Sequence, residues 1–408
     1  MTESSQQSDV IIVGGGPAGL MAAEVLSLRG VSVSVYDSMP TFARKFLLAG
    51  KSGLNITHSE DYTVFRHRFG TSTERLSTAL DAFTPTDLRG WCNGLGTKTF
   101  VGSSGRVFPV AMKASPLLRS WLARLQMQGV RFHSRHRLIS LEGRTAVFDT
   151  PSGEVRSSGR AMLLAMGGAS WPRLGSDAAW VPMLASLGVE IPKLRPANCG
   201  FDVAFSDYFL AKFAGEPLKS VSITSRAGTT QGEFVISRHG VEGSLVYAHA
   251  QALRDDLVSI GRAEMVVDLA PGRSEAQLTT ALERQPTTQS LSNRLRKAAG
   301  LSPVKIALLR ECAPADAFSS AASLSRQIKS LHIPLVRPRP IEEAISSAGG
   351  ISWAELDENF MLTKQPGLFA AGEMIDWEAP TGGYLLTACL ATGKAAANGI
   401  LNYLKPVL

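Results

Sequence analysis

The 408-residue chain is 44% hydrophobic and 19% charged, which supports a sizeable core and argues against a disordered chain. A formal net charge of +7 allows a basic face for phosphate, RNA or an anionic cofactor without requiring one. Four cysteines (Cys92, Cys199, Cys312 and Cys389) form no C-x-x-C pair, which excludes a local redox disulfide and a cysteine-rich zinc site, and no metal centre is expected.

The opening residues MTESSQQSDV carry no basic or apolar leader, and no apolar run is long enough to span a bilayer. A cytoplasmic protein with neither membrane nor DNA as partner is therefore expected. Asp9 to Val13 then reads as a buried parallel strand, followed at once by Gly14-Gly15-Gly16-Pro17-Ala18-Gly19. Leu20 to Leu28 has helical character, Gly30 stops it, and Val31 to Tyr36 reads as a second strand ending at Asp37. This is the strand–turn–helix–strand context that a G-x-G-x-x-G match needs. Gly14 suits the tight turn, Gly16 the approach of a pyrophosphate, and Gly19 the packing of helix on strand. Pro17-Ala18 begin a helix whose free N–H groups and positive end suit phosphate, while Asp37 suits ribose hydroxyls and disfavours a 2′-phosphate.

Glu74 to Leu95 reads as helix and loop, Gly102 to Pro109 as loop, Ser115 to Met127 as helix, and Arg131 to Leu141 as strand. Ala161 to Gly168 reads as a buried strand ending in a small-residue turn at Gly167, near the cofactor. Ser170 to Pro196 leads out of the nucleotide domain. Residues 197–270 carry short alternating patterns of antiparallel strands, and 271–333 read as helices. Pro334 to Pro340 returns the chain to its first domain, so residues 1–196 and 334–408 are expected to form one discontinuous domain.

The last segment separates FAD from NAD. Pro366 to Ala371 reads as turn and strand, followed by Gly372-Glu373-Met374-Ile375-Asp376, then Thr381-Gly382-Gly383-Tyr384 and a long helix from Leu385. A late strand ending in Gly-Glu, then a helix aimed at a flavin, belongs to FAD domains of the glutathione-reductase-like class; the helix dipole there stabilises negative charge on the reduced ring. No second G-x-G-x-x-G exists, so NAD(P)H is expected as a transient electron donor rather than the tenant of its own domain.

Further motifs carry a resemblance. The run from Arg44-Lys45 through Gly50-Lys51-Ser52-Gly53-Leu54-Asn55 to Thr57, the segment Gly105-Arg106-Val107-Phe108-Pro109 with Lys113-Ala114, and Gly349-Gly350-Ile351 resemble the YhiN/BaiN-like bacterial flavoproteins, as does the stretch from Pro366 to Gly383. Where that family has Arg-Cys-Asn this chain has Gly53-Leu54-Asn55, and its later T-H-x-G-x-S-G-P is Ser237 to Ser244 here, with Glu242 replacing Ser, so the chain resembles a divergent branch. The resemblance implies an α/β fold: a glutathione-reductase-like Rossmann FAD domain with an inserted β-barrel-like region and a small helical subdomain. It implies cofactor contacts from Arg44, Lys45, Gly50, Asn55, Leu138, Gly372, Glu373, Asp376, Gly382, Gly383, Tyr384 and Leu385. It also implies reduction of conjugated C=C bonds, in an RNA uracil or a small enone.

For such chemistry His58 and Tyr384 are candidate proton donors, and Lys51 or Arg106 a candidate carbonyl binder. Trp377 is a candidate cap or a core residue. A basic cluster (Arg294, Arg296, Lys297, Lys305, Arg310, Arg337, Arg339) suggests an RNA track. An amine or amino-ketone oxidase, or a non-catalytic flavin-bound RNA factor, are the competing expectations on the same fold.

Overall fold

The computed structural model describes residues 8–49 and 53–405. The chain forms two compact units, residues 1–195 with 346–408 and residues 196–345.

The first unit is built on five parallel strands: β1 (Val10–Val13), β2 (Val33–Asp37), β3 (Arg131–Ser134), β4 (Ala161–Leu164) and β5 (Leu368–Ala370), in the spatial order β5-β4-β1-β2-β3. Every residue of β1 and β4 is buried, which explains why both read as unbroken apolar runs: a parallel sheet is covered on both faces. Helix α1 (Pro17–Ser27) follows β1, and α2 (Tyr384–Leu404) closes the chain. The two helices pack closely because Gly393 has no side chain; a Cβ there would lie 2.2 Å from the Ala18 carbonyl oxygen. Glu24 of α1 is buried and accepts bonds from Trp91 Nε1 (3.0 Å), Trp121 Nε1 (2.7 Å) and Arg124 (2.8 Å), fixing the helices Pro85–Gly94 and Ala114–Met127 against it.

Two readings in this unit change. The stretch 131–141 is not one strand: Arg135 has φ +59°, so β3 ends at Ser134 and a separate strand, Arg137–Glu142, opens an antiparallel meander with Thr145–Thr150 and Gly153–Ser158. Nor is Gly102 to Pro109 all loop. Arg106–Pro109 is a strand between Thr57–His58 and Thr99–Val101, placing His58 opposite Arg106. Its buried side is only Val107 and Pro109, too short a pattern to mark a strand in the sequence.

The second unit holds a seven-stranded sheet in the order 331–335, 263–268, 217–225, 228–236, 240–242, 201–202, 337–338, antiparallel throughout. Its two edge strands are consecutive in the chain, separated only by Val336, so the sheet curls until its edges meet, a nearly closed barrel. Helices Glu275–Glu283, Leu291–Ala299, Pro303–Cys312 and Ala321–Lys329 lie in the same unit and share its apolar core. Here the expected return at Pro334 is too early. Leu331–Leu335 and Arg337–Pro338 are strands of this barrel, and the unit runs on to Ile345. The prolines that read as a linker are tolerated because these are edge strands, where a missing N–H costs no ladder bond.

Candidate functional site

The site begins at the turn after β1. Gly14 has φ +108°, and a Cβ on it would lie 2.2 Å from the Ala165 carbonyl oxygen of the neighbouring strand's turn. A Cβ on Gly19 would lie 2.0 Å from Gly14 O, so that glycine sets the approach of α1 to the strand. Gly16 differs: a Cβ there meets no protein atom within 4 Å. Its bareness serves no packing purpose and leaves open the space in front of α1. That helix has no side-chain cap and no acid in its first turn, so its positive end is unneutralised by the protein.

In front of it lies a cleft within the first unit. Gly14, Gly16, Pro17, Ala18 and Asp37 line it, as the glycine motif requires. Arg44 and Lys45 arrive from the short helix Arg44–Ala49, Leu138 from the meander, Gly167 from the turn after β4, and Gly372 with Glu373 from the turn after β5. Both ends of the chain therefore meet at one cavity. Asp37 accepts bonds from the amides of Gly15 (2.8 Å) and Met39 (2.8 Å). Burial raises its carboxyl above the ordinary aspartate value, and the two amides offset part of that.

Glu373 is at the cleft but engaged. One oxygen accepts from Lys45 Nζ (2.7 Å), which also donates to Ser170 Oγ (2.6 Å), and the other accepts the Ser347 amide (2.8 Å). Sequence reasoning missed Ser170 and Ser347, because no local pattern links them to Lys45. It also placed Ser170 to Pro196 on the way out of the domain, whereas Ser176, Trp180 and Met183 line the cleft. Trp180 Nε1 donates to Gly167 O (2.9 Å), and Arg137 pairs with Asp177 (2.8 Å) across the rim. His136 and Cys389 also line it; burial pushes the Cys389 thiol up to about 12.

Other expected residues lie elsewhere. Gly50 and Lys51 fall outside the described residues. Asn55, Asp376, Gly382, Gly383, Tyr384 and Leu385 are not among the residues lining this cleft. Asn55 nevertheless holds a buried Oδ1 that finds no donor in the protein among the described residues. The Asp376 carboxyl takes an amide bond from Gly349, with burial raising it and Arg195 offsetting that. Trp377 is 2% exposed and donates to Gly372 O (2.9 Å), a core role.

Gly382 and Gly383 have φ +143° and +93°, and a Cβ on Gly383 would lie 2.4 Å from Thr57 Cα. The N-terminus of α2 is thereby pressed onto the strand Thr57–His58. There the candidate catalytic groups His58 and Tyr384 stack, with ring centroids 5.5 Å apart. Tyr384 donates to Glu60 Oε1 (2.6 Å), and Arg68 grips the same carboxylate at 3.1 and 2.5 Å. Burial opposes ionisation of Glu60, but the Arg68 and Tyr384 bonds outweigh it and hold its carboxyl below the usual value. Burial and Glu60 together push the Tyr384 phenol up. His58 Nδ1 accepts the Glu60 amide (3.1 Å), which leaves Nε2 to donate to Ser104 O (3.1 Å). Arg106, beside His58 in register, has no side-chain partner among the described residues.

The basic cluster in the second unit does not form one track. Lys305 is 9% exposed and donates to the carbonyls of Ser220 (3.0 Å) and Leu269 (2.7 Å). Arg337 and Arg339 both pair with Asp202, at 2.7 and 2.8 Å.

Fold and cleft together define an FAD-dependent oxidoreductase. Residues 8–399 match the HI0933-like protein Rossmann domain, and the chain belongs to that family. It is 22% identical over 400 residues to the 3-dehydro-bile acid delta(4,6)-reductase of Clostridium scindens, covering 94% of this chain and 97% of that one. It is 22% identical to the ribosomal RNA dihydrouridine synthase of Haemophilus influenzae, covering 97% and 99%. In fold it resembles a flavocytochrome c3 fumarate reductase (TM-score 0.51, 15% identity, 99% of this chain and 80% of that one). It equally resembles the 3-ketosteroid delta1-dehydrogenase of Sterolibacterium denitrificans (TM-score 0.51, 12% identity, 98% and 100%). The cleft fits the FAD that this class carries. Beyond the open space at Gly16, the lining holds Arg44 Nε and Ser176 Oγ, both buried and without a hydrogen-bond partner in the protein among the described residues. No helix among the described residues is long and apolar enough to cross a membrane.

Proposed function

We propose that this protein reduces a C=C bond conjugated to a carbonyl, in a small enone or an RNA uracil, with NAD(P)H as electron donor. The observation that carries the reading is the cleft to which β1–α1 and the Gly372–Glu373 turn both contribute, in a chain whose full-length relatives act on such bonds by name. FAD bound there supplies hydride transfer, which no side chain offers.

The chain's own residues hold and position. The bare N-terminus of α1 and Arg44 would hold the pyrophosphate of FAD, and Asp37 would hold its ribose. Lys45 and Glu373 cross-link the two chain ends and keep the cleft in shape. The α2 N-terminus supplies a positive dipole end beside His58 and Arg106. Arg106, the cation in that sheet with no partner among the described residues, holds the substrate carbonyl and favours the negative charge that grows on it. Tyr384, whose hydroxyl is committed to Glu60, fixes the helix end, and His58, the other candidate donor, supplies the proton that completes the reduction. NAD(P)H binds transiently, in keeping with the single G-x-G-x-x-G of the chain.

A strain deleted for this chain tests the reading. Its ribosomal RNA and small metabolites, compared with the parent by mass spectrometry, are expected to contain one species lacking two hydrogens. Two identical profiles would remove the reading's main support.

A further inference from the structure

Part of the basic cluster, freed from its buried and paired members, rims a second cavity. Helices Asp207–Phe213, Leu291–Ala299 and Pro303–Cys312 enclose an open groove inside the second unit. Its floor is apolar: Phe209, Phe213, Leu301, Ile306 and Ala307. Its rim carries Lys212, Arg296 and Arg310, all exposed.

The charges on that rim are unbalanced. None of the three cations has a carboxylate partner among the described residues; Arg296 reaches only Asn293 Oδ1 (3.0 Å) and Lys212 only the Tyr208 hydroxyl (3.2 Å). The single carboxylate in the lining, Glu311, is consumed by the amide and hydroxyl of Ser206 (2.5 and 3.0 Å). Tyr208 stands 73% exposed at the edge, with Lys212 Nζ 5.3 Å from its ring centre. A nucleic-acid track would repeat cations along a backbone and interleave stacking rings. Here three cations surround one greasy trough, and the rings that could stack, apart from Tyr208, are turned into the floor.

We propose that this groove binds an amphipathic carboxylate, a molecule with an apolar chain or ring body and one anionic head. The body covers the floor between the three helices, and the head takes Arg296 and Arg310, whose planar donors suit a carboxylate. The groove lies outside the cleft at Gly16, so the inference stands apart from the reductase reading.

Calorimetry on the FAD-loaded protein tests it with sodium laurate as probe. The expected result is one site of micromolar affinity, weakened at least tenfold in R296A/R310A and absent for dodecyltrimethylammonium and for acetate. Both arginines are exposed, so the double variant is expected to keep the parent Tm and flavin content. A second variant, Ala307→Glu, is expected to weaken laurate by charge at the floor. Laurate binding that ignores both variants, or equal binding of the cationic amphiphile, overturns the proposal. So does binding of a ten-nucleotide oligouridylate in place of laurate, which would make the groove an RNA surface.

Discussion

At the scale of single residues, the glycine turn separates packing from ligand space. Gly19→Ala would drive a methyl into the Gly14 carbonyl, and is expected to cost folded protein outright. Gly16→Ala meets no protein atom, so the apoprotein should keep its Tm while FAD affinity drops by about tenfold or more. Thermal melts of apo and FAD-loaded forms read the difference; equal losses in both forms would contradict it. Arg106→Ala should lower kcat/KM by about a hundredfold without changing bound flavin, if its guanidinium holds the carbonyl. A titration prediction belongs here too. His133 stacks on Tyr36 (4.4 Å) with its Nε2 buried and unpartnered among the described residues, and burial pushes its pKa down to about 4. Above pH 6.5 the ring is neutral folded or unfolded. Between 6.5 and about 4 only the unfolded chain takes the proton, so this stabilisation is lost as pH falls through that window. His133→Phe keeps the stack and should flatten the decline of Tm between pH 6.5 and 4. The glycine roles were legible in the sequence because they arise within six neighbouring residues. The Lys45–Ser170–Glu373 bridge was not, because its members lie up to 328 residues apart.

At the scale of elements, α2 is held at its first turn by side chains from another segment. Tyr384 is 4% exposed and donates a hydrogen bond to the Glu60 carboxylate, which Arg68 locks in turn. Tyr384→Phe is therefore expected to leave turnover within about twofold and to cost about 1 kcal/mol of stability. Steady-state rates and urea melts check both; a loss of turnover with unchanged stability would restore the phenol as proton donor. Strands β1 and β4 and helix α2 were readable from their apolar runs and helical spacing, whereas β3, with no buried residue, was read only as part of a longer strand. The short strand Arg106–Pro109 was not, since four residues with two buried positions carry no period. The break at Arg135 was equally silent, because nothing in the residue type announces a left-handed backbone.

At the scale of the whole molecule, the chain leaves and re-enters one nucleotide domain, and the excursion is a barrel with its own helices and core. The re-entry point was misplaced because prolines such as Pro334 and Pro338 occur in edge strands as readily as in linkers. The basic residues of the excursion were visible in the sequence, but their destinations (core, ion pairs or groove) depend on tertiary packing alone. In the proposed reaction the cleft holds FAD, which passes electrons from NAD(P)H to a conjugated C=C bond. Anaerobic stopped-flow spectroscopy of the purified protein follows both halves of that reaction. The expected result is rapid bleaching of bound flavin at its long-wavelength band by NADPH or NADH. Recovery should follow on adding a 3-oxo-delta(4,6) bile acid or a uridine-containing RNA, with a product heavier by two hydrogens. Bound flavin that neither nucleotide reduces, or reduced flavin that only oxygen reoxidises, would contradict it.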